Sequence, residues 1–252
     1  MKTIDAKHYL LGLSLRRDKV PSFNEYPYSL PVIRDVSKID FHPSVTFIIG
    51  ENGTGKSTLL EAIAVAWGFN AEGGTRNFGF STRSSHSSLQ SVLALKRGLK
   101  RPKDGFFLRA ESFFNVATEI ERLDAEPANA PPIIDSYGGR SLHEQSHGES
   151  FFALVTQRFR GGGLYVLDEP EAALSPSRQL ALLALLHQLV RARSQFIIAT
   201  HSPILMAYPD STIFQLTERG VSRVKYTETE HYTVTREFLN KHESMLKVLL
   251  ED

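Results

Sequence analysis

The segment from Gly50 to Ser57 has the residue types and the spacing needed to bind a polyphosphate. It reads Gly-Glu-Asn-Gly-Thr-Gly-Lys-Ser, which matches the pattern Gly-x-x-x-x-Gly-Lys-Ser/Thr. The glycines allow the backbone to curl, so that successive N–H groups point at phosphate oxygens. Lys56 can reach the β- and γ-phosphates, and the Ser57 hydroxyl can bind Mg²⁺. We therefore predict a triphosphate-binding loop with contacts from Gly50, Glu51, Asn52, Gly53, Thr54, Gly55, Lys56, Ser57 and Thr58.

Two adjacent carboxylates, Asp168 and Glu169, directly follow the apolar run Leu164–Leu167. In a parallel sheet, the carboxyl end of such a strand faces the ligand crevice. Asp168 is therefore predicted to hold Mg²⁺, directly or through water, and Glu169 to orient and deprotonate an attacking water. A positioned acid–base group contributes about 10²–10⁴-fold in rate. The alternative is an acidic loop after a strand, and the phosphate loop favours the catalytic interpretation.

A third apolar run, Phe196–Ala199, ends in the polar residues Thr200, His201 and Ser202. We expect this strand to lie beside the strand that carries Asp168. His201 would then contact the γ-phosphate or the attacking water. The alternative is a histidine with a structural role only.

These residues need a scaffold in which strands and helices alternate. Val45–Ile49 is an apolar, β-branched run typical of a buried strand, and Ser57–Trp67 reads as a helix that Gly68 ends. A second helix is predicted over Gln179–Val190, with Ser175 as its cap. This alternation predicts an α/β fold with a mostly parallel sheet covered on both faces. Further strands are predicted at Tyr9–Leu15 and Gly105–Ala110, and further helices at Ser112–Leu123 and Thr233–Leu250.

Length and composition predict one domain over residues 1–252, with a helical and loop-rich lobe inserted at about residues 70–150. The chain is 41% hydrophobic and has a formal net charge of +1, so its total charge indicates neither a nucleic-acid nor a membrane partner. The absence of cysteine excludes disulfides and zinc–thiolate sites. We see no signal peptide and no apolar stretch long enough to cross a bilayer, so we expect a cytoplasmic protein without membrane insertion.

In this order, the motifs resemble those of the ABC-type ATPase superfamily. Gly50–Ser57 is similar to its Walker A motif, Leu164–Glu169 to its Walker B motif with the catalytic glutamate, and His201 to its switch histidine. The resemblance implies a P-loop NTPase fold of the ABC-head type, with a mixed or parallel sheet flanked by helices and a helical insert lobe. It also implies ATP and Mg²⁺ as cofactors.

The segment Gln145–Glu149 resembles the ABC signature, usually Leu-Ser-Gly-Gly-Gln. Ser146, Gly148 and Glu149 follow its pattern, whereas Gln145 and His147 depart from it. The resemblance implies a homodimer that sandwiches two ATP molecules, in which Ser146 and Gly148 of one subunit contact the γ-phosphate held by the other. A helix N-terminus following Gly148 would attract that charge.

The closer resemblance is to RecF, to SMC and double-strand-break repair heads, and to small stand-alone bacterial ATPases. The phrases Asp-Glu-Pro-Glu-Ala-Ala-Leu-Ser-Pro and Ala-Thr-His-Ser-Pro are more typical of these proteins than of transporter subunits. Within the first phrase, Ala172–Ser175 takes the position of the D-loop. Three functions stay open: an ATPase acting on or near DNA, the nucleotide-binding subunit of a transporter, and a slow ATP-dependent switch in a defence or toxin–antitoxin pair.

Two positions of the family pattern have no obvious counterpart. A Q-loop glutamine, which senses Mg²⁺ and the water, is missing after the strand Gly105–Ala110. Glu111 is the proposed equivalent and a metal-binding candidate, and the alternatives are Gln90 or a plain surface carboxylate at Glu111. Three aromatic residues are candidates for stacking on adenine, unless they belong to the core: Phe23, Tyr26 and Tyr28.

A basic run at residues 96–103 is a candidate contact for the phosphate backbone of DNA. Binding through such a patch would depend strongly on salt. The competing interpretation is a solvated, basic helix end, and no interleaved aromatic residues indicate base stacking. The run contains Lys96, Arg97, Lys100, Arg101 and Lys103.

Overall fold

The computed structural model describes residues 9–75, 87–110, 113–126, 131–144 and 147–251. The strands in this part of the chain are β1 (Leu10–Leu15), β2 (Lys38–Asp40), β3 (Val45–Ile49), β4 (Leu93–Arg97), β5 (Asp104–Arg109), β6 (Gly163–Asp168), β7 (Gln195–Ala199), β8 (Ser211–Thr217) and β9 (Gly220–Val224). The α-helices are α1 (Pro31–Asp35), α2 (Lys56–Trp67), α3 (Phe113–Asp124), α4 (His147–Ala153), α5 (Pro176–Arg191), α6 (Pro203–Met206) and α7 (Glu230–Leu250). A π-helical turn, Leu154–Arg158, continues α4.

A six-stranded mixed sheet forms the centre of the fold, in the order β5-β6-β7-β3-β8-β9. Its first five strands are parallel, and β9 pairs antiparallel with β8. The strand that ends at Asp168 therefore lies beside the strand that ends at Ala199, as predicted. A second sheet, β2-β1-β4, is antiparallel. The predicted α/β fold with a mixed sheet is confirmed.

Both faces of the central sheet are buried, because side chains alternate between two apolar layers. On β3, Phe47 packs into the layer that also contains α3 and α5 residues, while Ile48 packs into the layer with α2 and the small sheet. All five residues of β3 are buried. This explains why the strand reads as a continuous apolar run.

Local signals determine the ends of the helices that flank the site. α2 ends before Gly68, whose backbone is left-handed (φ +109°), within one residue of the predicted bounds. At the start of α5, the Ser175 side chain accepts a hydrogen bond from the N–H of Arg178, and Pro176 takes the first helical position. The predicted cap of this helix is confirmed.

The basic run does not form a helix end, and that interpretation is wrong. Its first two members, Lys96 and Arg97, lie on β4, which pairs antiparallel with β1. Leu93 and Leu95 of this strand pack against the core, and their period of two favours a strand over a helix. The range 70–150 thus contributes β4 to the small sheet and β5 to the central sheet. The boundaries of the predicted inserted lobe stay a prediction.

The C-terminal helix α7 begins three residues before the predicted start, because the Thr229 side chain caps it by accepting a hydrogen bond from Tyr232 N–H. Its backbone is non-helical at Lys241. Among the described residues, no helix combines the length and the apolar character needed to cross a bilayer. The large apolar side chains that α7 exposes are Val234, Phe238, Leu239, Leu246, Val248, Leu249 and Leu250.

Candidate nucleotide site

The loop between β3 and α2 curls as its glycines allow. Gly50, Gly53 and Gly55 have positive φ angles of +151°, +82° and +93°. Gly55 directly precedes α2, and a Cβ atom at this position would lie 3.0 Å from Cδ1 of Leu30. Backbone conformation and space therefore both favour glycine there. The loop leads directly into the N-terminus of α2, which attracts anions.

Lys56 is enclosed by this loop, with 4% of its surface exposed. Its Nζ donates hydrogen bonds to the carbonyl oxygens of Gly50 (2.9 Å) and Glu51 (3.0 Å). An ammonium group has three N–H donors, so a further one can bind a phosphate oxygen. Burial lowers the pKa of Lys56, and nearby carboxylates oppose this shift. These carboxylates belong to Glu169, Asp168 and Glu171.

Ser57 and Asp168 meet at the carboxyl edge of the sheet. Ser57 Oγ donates a hydrogen bond to Asp168 Oδ1 at 3.1 Å, and Asp168 is buried at the end of β6. Two neighbouring oxygen ligands of an octahedral Mg²⁺ lie about 2.9 Å apart, since each Mg–O bond measures about 2.0–2.1 Å. The pair therefore fits Mg²⁺. Within the described ranges, no group of three or more His, Cys, Asp or Glu side chains could hold a metal ion.

Glu169 and His201 face each other beyond the ends of β6 and β7. The Glu169 backbone is left-handed (φ +51°), and its N–H donates to the carbonyl oxygen of Ala199 at 3.0 Å. Glu169 Oε1 lies 3.6 Å from His201 Nε2, and each side chain is about one-third exposed. Both groups are thus held by neighbouring strands, and His201 Nε2 is a buried polar atom without a hydrogen-bond partner among the described residues.

Glu171 is a site residue that the motif spacing did not identify. Its Oε1 accepts a hydrogen bond of 2.6 Å from the backbone N–H of His201. Burial raises the pKa of Glu171, and this N–H opposes the rise. The contact ties the turn after β6 to the turn after β7. A sequence signal existed, because Glu171 is the third carboxylate of the run Asp-Glu-Pro-Glu.

Arg109, the last residue of β5, is a second residue beside the site that the sequence motifs did not identify. Its Nη1 donates to Glu61 Oε2 at 2.8 Å, and its Nε lies 3.9 Å from Asp168 Oδ2. Glu61 is buried on α2, one turn after Ser57. The guanidinium group therefore sets a positive charge beside Asp168, the carboxylate of the predicted metal-binding pair. A charged residue within an apolar helix, Glu61, indicated in the sequence that a buried ionic partner exists. The identity of this partner, Arg109, follows only from the pairing of β5 with β6.

Two family models match the parts of the chain that contain this site. Residues 23–117, which include the phosphate loop, match a family described as "AAA domain". Residues 133–207, which include the acidic pair and His201, match one described as "AAA domain, putative AbiEii toxin, Type IV TA system". These two matches support the resemblance of the chain to the ABC-type ATPase superfamily.

Individual relatives of this superfamily are distant. The energy-coupling factor transporter ATP-binding protein EcfA2 of Methanospirillum hungatei is 23% identical over 245 residues, which cover 90% of this chain and 58% of that protein. The chain thus spans little more than half the length of this curated relative. An inward-facing conformation of "a putative metal-chelate type ABC transporter" shares the fold, with a TM-score of 0.51, 14% identity and coverage of 90% of this chain and 88% of that one. The SMC head domain from Thermotoga maritima matches with a TM-score of 0.41, 18% identity and coverage of 75% and 92%.

The segment that resembles the ABC signature, Gln145–Glu149, is described only in part. Gln145 and Ser146 lie outside the described residues, so the predicted contact of Ser146 stays a prediction. The resemblance implied that a helix begins after Gly148. Instead, α4 begins at His147, so Gly148 lies inside its first turn. Gly148 is buried, whereas Glu149 is exposed.

Gly148 packs against the D-loop of the same chain. A Cβ atom on Gly148 would lie 2.6 Å from the carbonyl oxygen of Ala173 and 2.8 Å from Arg178 Nη1. A side chain there would force the backbone apart, so this position favours glycine. The contact connects the signature helix to the turn that follows the acidic pair.

Glu111, the predicted equivalent of the Q-loop glutamine, lies outside the described residues. Its role as a metal ligand therefore stays a prediction. β5 ends two residues earlier, at Arg109, next to the end of β6. The alternative, Gln90, lies in the 3₁₀-helix Ser88–Val92, which leads into β4 of the small sheet.

The three aromatic candidates for adenine stacking differ in exposure. Tyr28 is buried, and Phe23 packs under the guanidinium of Arg17, 4.7 Å from its ring centroid. Tyr26 is 68% exposed, and its hydroxyl lies 3.2 Å from Oγ1 of Thr58 in the first turn of α2. An exposed ring beside the phosphate loop favours Tyr26.

Replacing Tyr26 with alanine should weaken ATP binding about 10-fold, because stacking of a base on an aromatic ring contributes about 1–3 kcal/mol. Tyr26→Phe keeps the ring and should keep the affinity. Isothermal titration calorimetry with ATP measures both values, and Phe23→Ala is the matched control for removal of an aromatic ring. Unchanged affinity of Tyr26→Ala would assign the adenine contact to another side chain.

The basic run has two structural parts. Arg97 stacks on Trp67, with its Cζ 4.7 Å from the ring centroid, and its Nη2 donates to the carbonyl oxygen of Ala66 at 2.9 Å. This guanidinium therefore holds β4 against α2. Lys100 and Arg101 are exposed in the loop before β5, and Lys96 and Lys103 are exposed as well.

Proposed function

We propose that this protein binds ATP with Mg²⁺ and hydrolyses it to ADP and phosphate. The observation that carries the proposal is the meeting of three motifs at one edge of the sheet. Ser57 Oγ lies 3.1 Å from Asp168 Oδ1, and Glu169 Oε1 lies 3.6 Å from His201 Nε2. A metal-binding pair and an acid–base pair can thus act on one γ-phosphate. The resemblance to the ABC-type ATPase superfamily supports the same reaction.

Each of these side chains has a task in the reaction. Lys56 and the N–H groups of the loop bind the phosphates, and Ser57 and Asp168 hold Mg²⁺, which neutralises charge on the β- and γ-phosphate oxygens. Glu169 accepts a proton from the water that attacks the γ-phosphorus. The bond between the γ-phosphorus and the bridging oxygen breaks, and ADP leaves. His201 donates a hydrogen bond to a γ-phosphate oxygen.

The proposed catalytic unit is a homodimer that encloses two ATP molecules. The N-terminus of α4, whose first turn contains Gly148, would attract the γ-phosphate bound by a second copy, against the opposing charge of the exposed Glu149. Ser146 would join this contact. ATP binding then favours the closed dimer, and loss of the γ-phosphate favours its opening.

Phosphate release by the purified chain tests the proposed reaction. Inorganic phosphate should accumulate with ATP and Mg²⁺, and EDTA should stop its release. The same assay with and without double-stranded DNA, at two salt concentrations, tests whether the ATPase acts on or near DNA, which is the first candidate role. Stimulation at low salt that fades at high salt is expected. A chain that binds ATP but releases no phosphate under any of these conditions contradicts the proposal.

If the exposed part of the basic run contacts DNA, reversing its charge should weaken DNA binding. Lys100→Glu combined with Arg101→Glu should lower the affinity about 10-fold at 50 mM salt and reduce the slope of log K against log salt by about 2, because each neutralised phosphate contributes about one counterion. Fluorescence anisotropy with a labelled duplex measures both. Lys225→Glu with Arg223→Glu is a control of equal charge change on β9 and its flank. An unchanged slope supports a solvated surface instead.

A role in a toxin–antitoxin pair is a second candidate, favoured by the family matched at residues 133–207, whose description includes a type IV toxin–antitoxin system. This candidate predicts that induced expression arrests the growth of a bacterial host and that Glu169→Gln changes the extent of arrest. Normal growth during high expression argues against it.

A transporter subunit is a third candidate, favoured by the likeness to an energy-coupling factor transporter ATP-binding protein. It predicts that the chain binds a membrane-embedded partner. Sedimentation of the expressed protein with the membrane fraction of its native cells would support this candidate, and its recovery in the supernatant alone would oppose it.

A further inference from the structure

A second histidine lies directly behind the proposed switch histidine. His231, in the first turn of α7, has its Nε2 3.3 Å from His201 Nδ1. The two ring centroids are 5.5 Å apart, with an angle of 47° between the ring planes. One nitrogen of His201 thus faces His231, while the other faces Glu169 at 3.6 Å.

The turn that carries His231 is firmly anchored. Thr229 is buried, and its hydroxyl donates to the carbonyl oxygen of Tyr226 at 2.8 Å while it accepts the N–H of Tyr232 at 3.3 Å. The rings of Tyr226 and Tyr232 pack with their centroids 4.7 Å apart. From Thr233 onward α7 is largely exposed, so its first turn is the part of the helix that is tied to the site.

The histidine pair has two possible proton arrangements. Burial lowers the pKa of His201 and of His231, and the charge of Lys56 adds to this. Glu169 opposes the shift at His201 and Glu230 opposes it at His231, but the pKa of each ring stays below its ordinary value. Both rings are therefore neutral near pH 7.5, and each neutral ring has one N–H donor and one acceptor nitrogen. Either His231 donates to His201 Nδ1, or His201 Nδ1 donates to His231.

The carboxylate of Glu169 distinguishes the two arrangements. If His201 carried its proton on Nδ1, the lone pair of Nε2 would face the negative charge of Glu169, which is repulsive. With the proton on Nε2, an N–H bond faces the carboxylate, which is attractive. This N–H is also the donor that the γ-phosphate requires.

We propose that His231 is a positioning residue that donates its Nε2–H to His201 Nδ1 and thereby keeps His201 in the Nε2–H tautomer needed for phosphate contact. The proposal rests on the proposed ATP hydrolysis for its kinetic consequence, but the tautomer itself is independent of turnover. His231 touches neither nucleotide nor metal in this scheme and acts through His201.

Kinetics of single and double variants test this role. His231→Phe should lower kcat about 10-fold, as expected for loss of a partner that orients a catalytic histidine, and leave the ATP affinity within about 2-fold. His231→Gln retains an N–H donor and should recover kcat to within about 3-fold of the wild type. In a His201→Ala background, His231→Phe should change kcat less than about 2-fold, because the two residues act in series.

His187→Phe is the matched control, since His187 also hydrogen-bonds through its ring, to Tyr208 on another part of the chain. It should leave kcat unchanged. Equal kcat for His231→Phe and the wild type, or additive losses in the His201→Ala background, would overturn the proposal. Circular dichroism of each variant identifies a loss of folding. If His231→Phe does not fold, the kcat of His231→Gln is compared with that of the wild type instead.

Long-range ¹H–¹⁵N spectra of histidine-labelled protein test the tautomer without any turnover. The spectrum contains nine histidines, and His201→Ala assigns the signal of interest. Wild-type His201 should be protonated on Nε2, and His231→Phe should shift it toward a mixture. A wild-type His201 protonated mainly on Nδ1 overturns the proposal, even if ATP is hydrolysed. An inactive wild type with the expected tautomer contradicts the proposed function and leaves the positioning role supported.

Discussion

Replacing Glu169 with glutamine should reduce kcat about 10³-fold while ATP affinity stays within about 3-fold, because the amide keeps the shape of the carboxylate but cannot accept the proton of the attacking water. Glu169 is suited to this role by its left-handed turn after β6 and by its position 3.6 Å from His201. Steady-state phosphate release gives kcat, and calorimetry gives the affinity.

The Glu169→Gln variant should also accumulate as an ATP-bound dimer. Without hydrolysis the ATP-bound closed state persists, so light scattering with ATP and Mg²⁺ should report twice the monomer mass of 28.2 kDa. Glu218→Gln, which removes the same charge from an exposed turn between β8 and β9, should behave like the wild type. An undiminished kcat would remove Glu169 from the reaction, and a monomer with bound ATP would argue against the sandwich.

Lys56→Ala should weaken ATP binding about 100-fold or more. Its ammonium group contributes charge-assisted hydrogen bonds, each of about 1.5–3 kcal/mol, in a position where only 4% of the residue is exposed. The side chain also bonds the carbonyl oxygens of Gly50 and Glu51, so its loss loosens the loop that binds the phosphates. Calorimetric titration with ATP and Mg²⁺ measures the loss.

The thermal unfolding midpoint separates a direct effect on binding from damage to the fold. We expect Lys56→Ala to unfold near the wild-type temperature without nucleotide and to gain little stability when ATP is added, whereas the wild type gains stability by mass action. Lys19→Ala removes an exposed lysine in the same way and should leave both values unchanged. Full ATP affinity in Lys56→Ala would reject the assignment of the phosphate loop.

Arg109 and Glu61 extend the site beyond its motifs. The guanidinium lies between the carboxylate of Glu61, at 2.8 Å, and that of Asp168, at 3.9 Å, so it offsets part of the negative charge that collects around the proposed metal position. A carboxylate buried without such a partner would be costly. This network connects β5, β6 and α2, and it thereby holds the acidic pair in a constant position relative to the phosphate loop.

Much of this protein could be predicted from neighbours along the chain. The glycines of the loop, the cap at Ser175 and the apolar runs of β3, β6 and β7 act within a few residues, so their structural consequences are visible locally. The interpretation of residues 96–103 as a helix end failed because the two-residue period that marks β4 lies in Leu93 and Leu95, just before the basic run.

The sequence by itself determined the phosphate loop, the acidic pair, the switch-like histidine and the α/β scaffold, because hydrogen bonding within turns and side-chain periodicity depend on residues close in the chain. Only the tertiary structure decided which distant groups surround them. Glu171 and His231 each reach His201 across 30 residues, and Glu61 reaches Arg109 across 48. Such partners share no local pattern; the order of the strands and the direction of α7 bring them together.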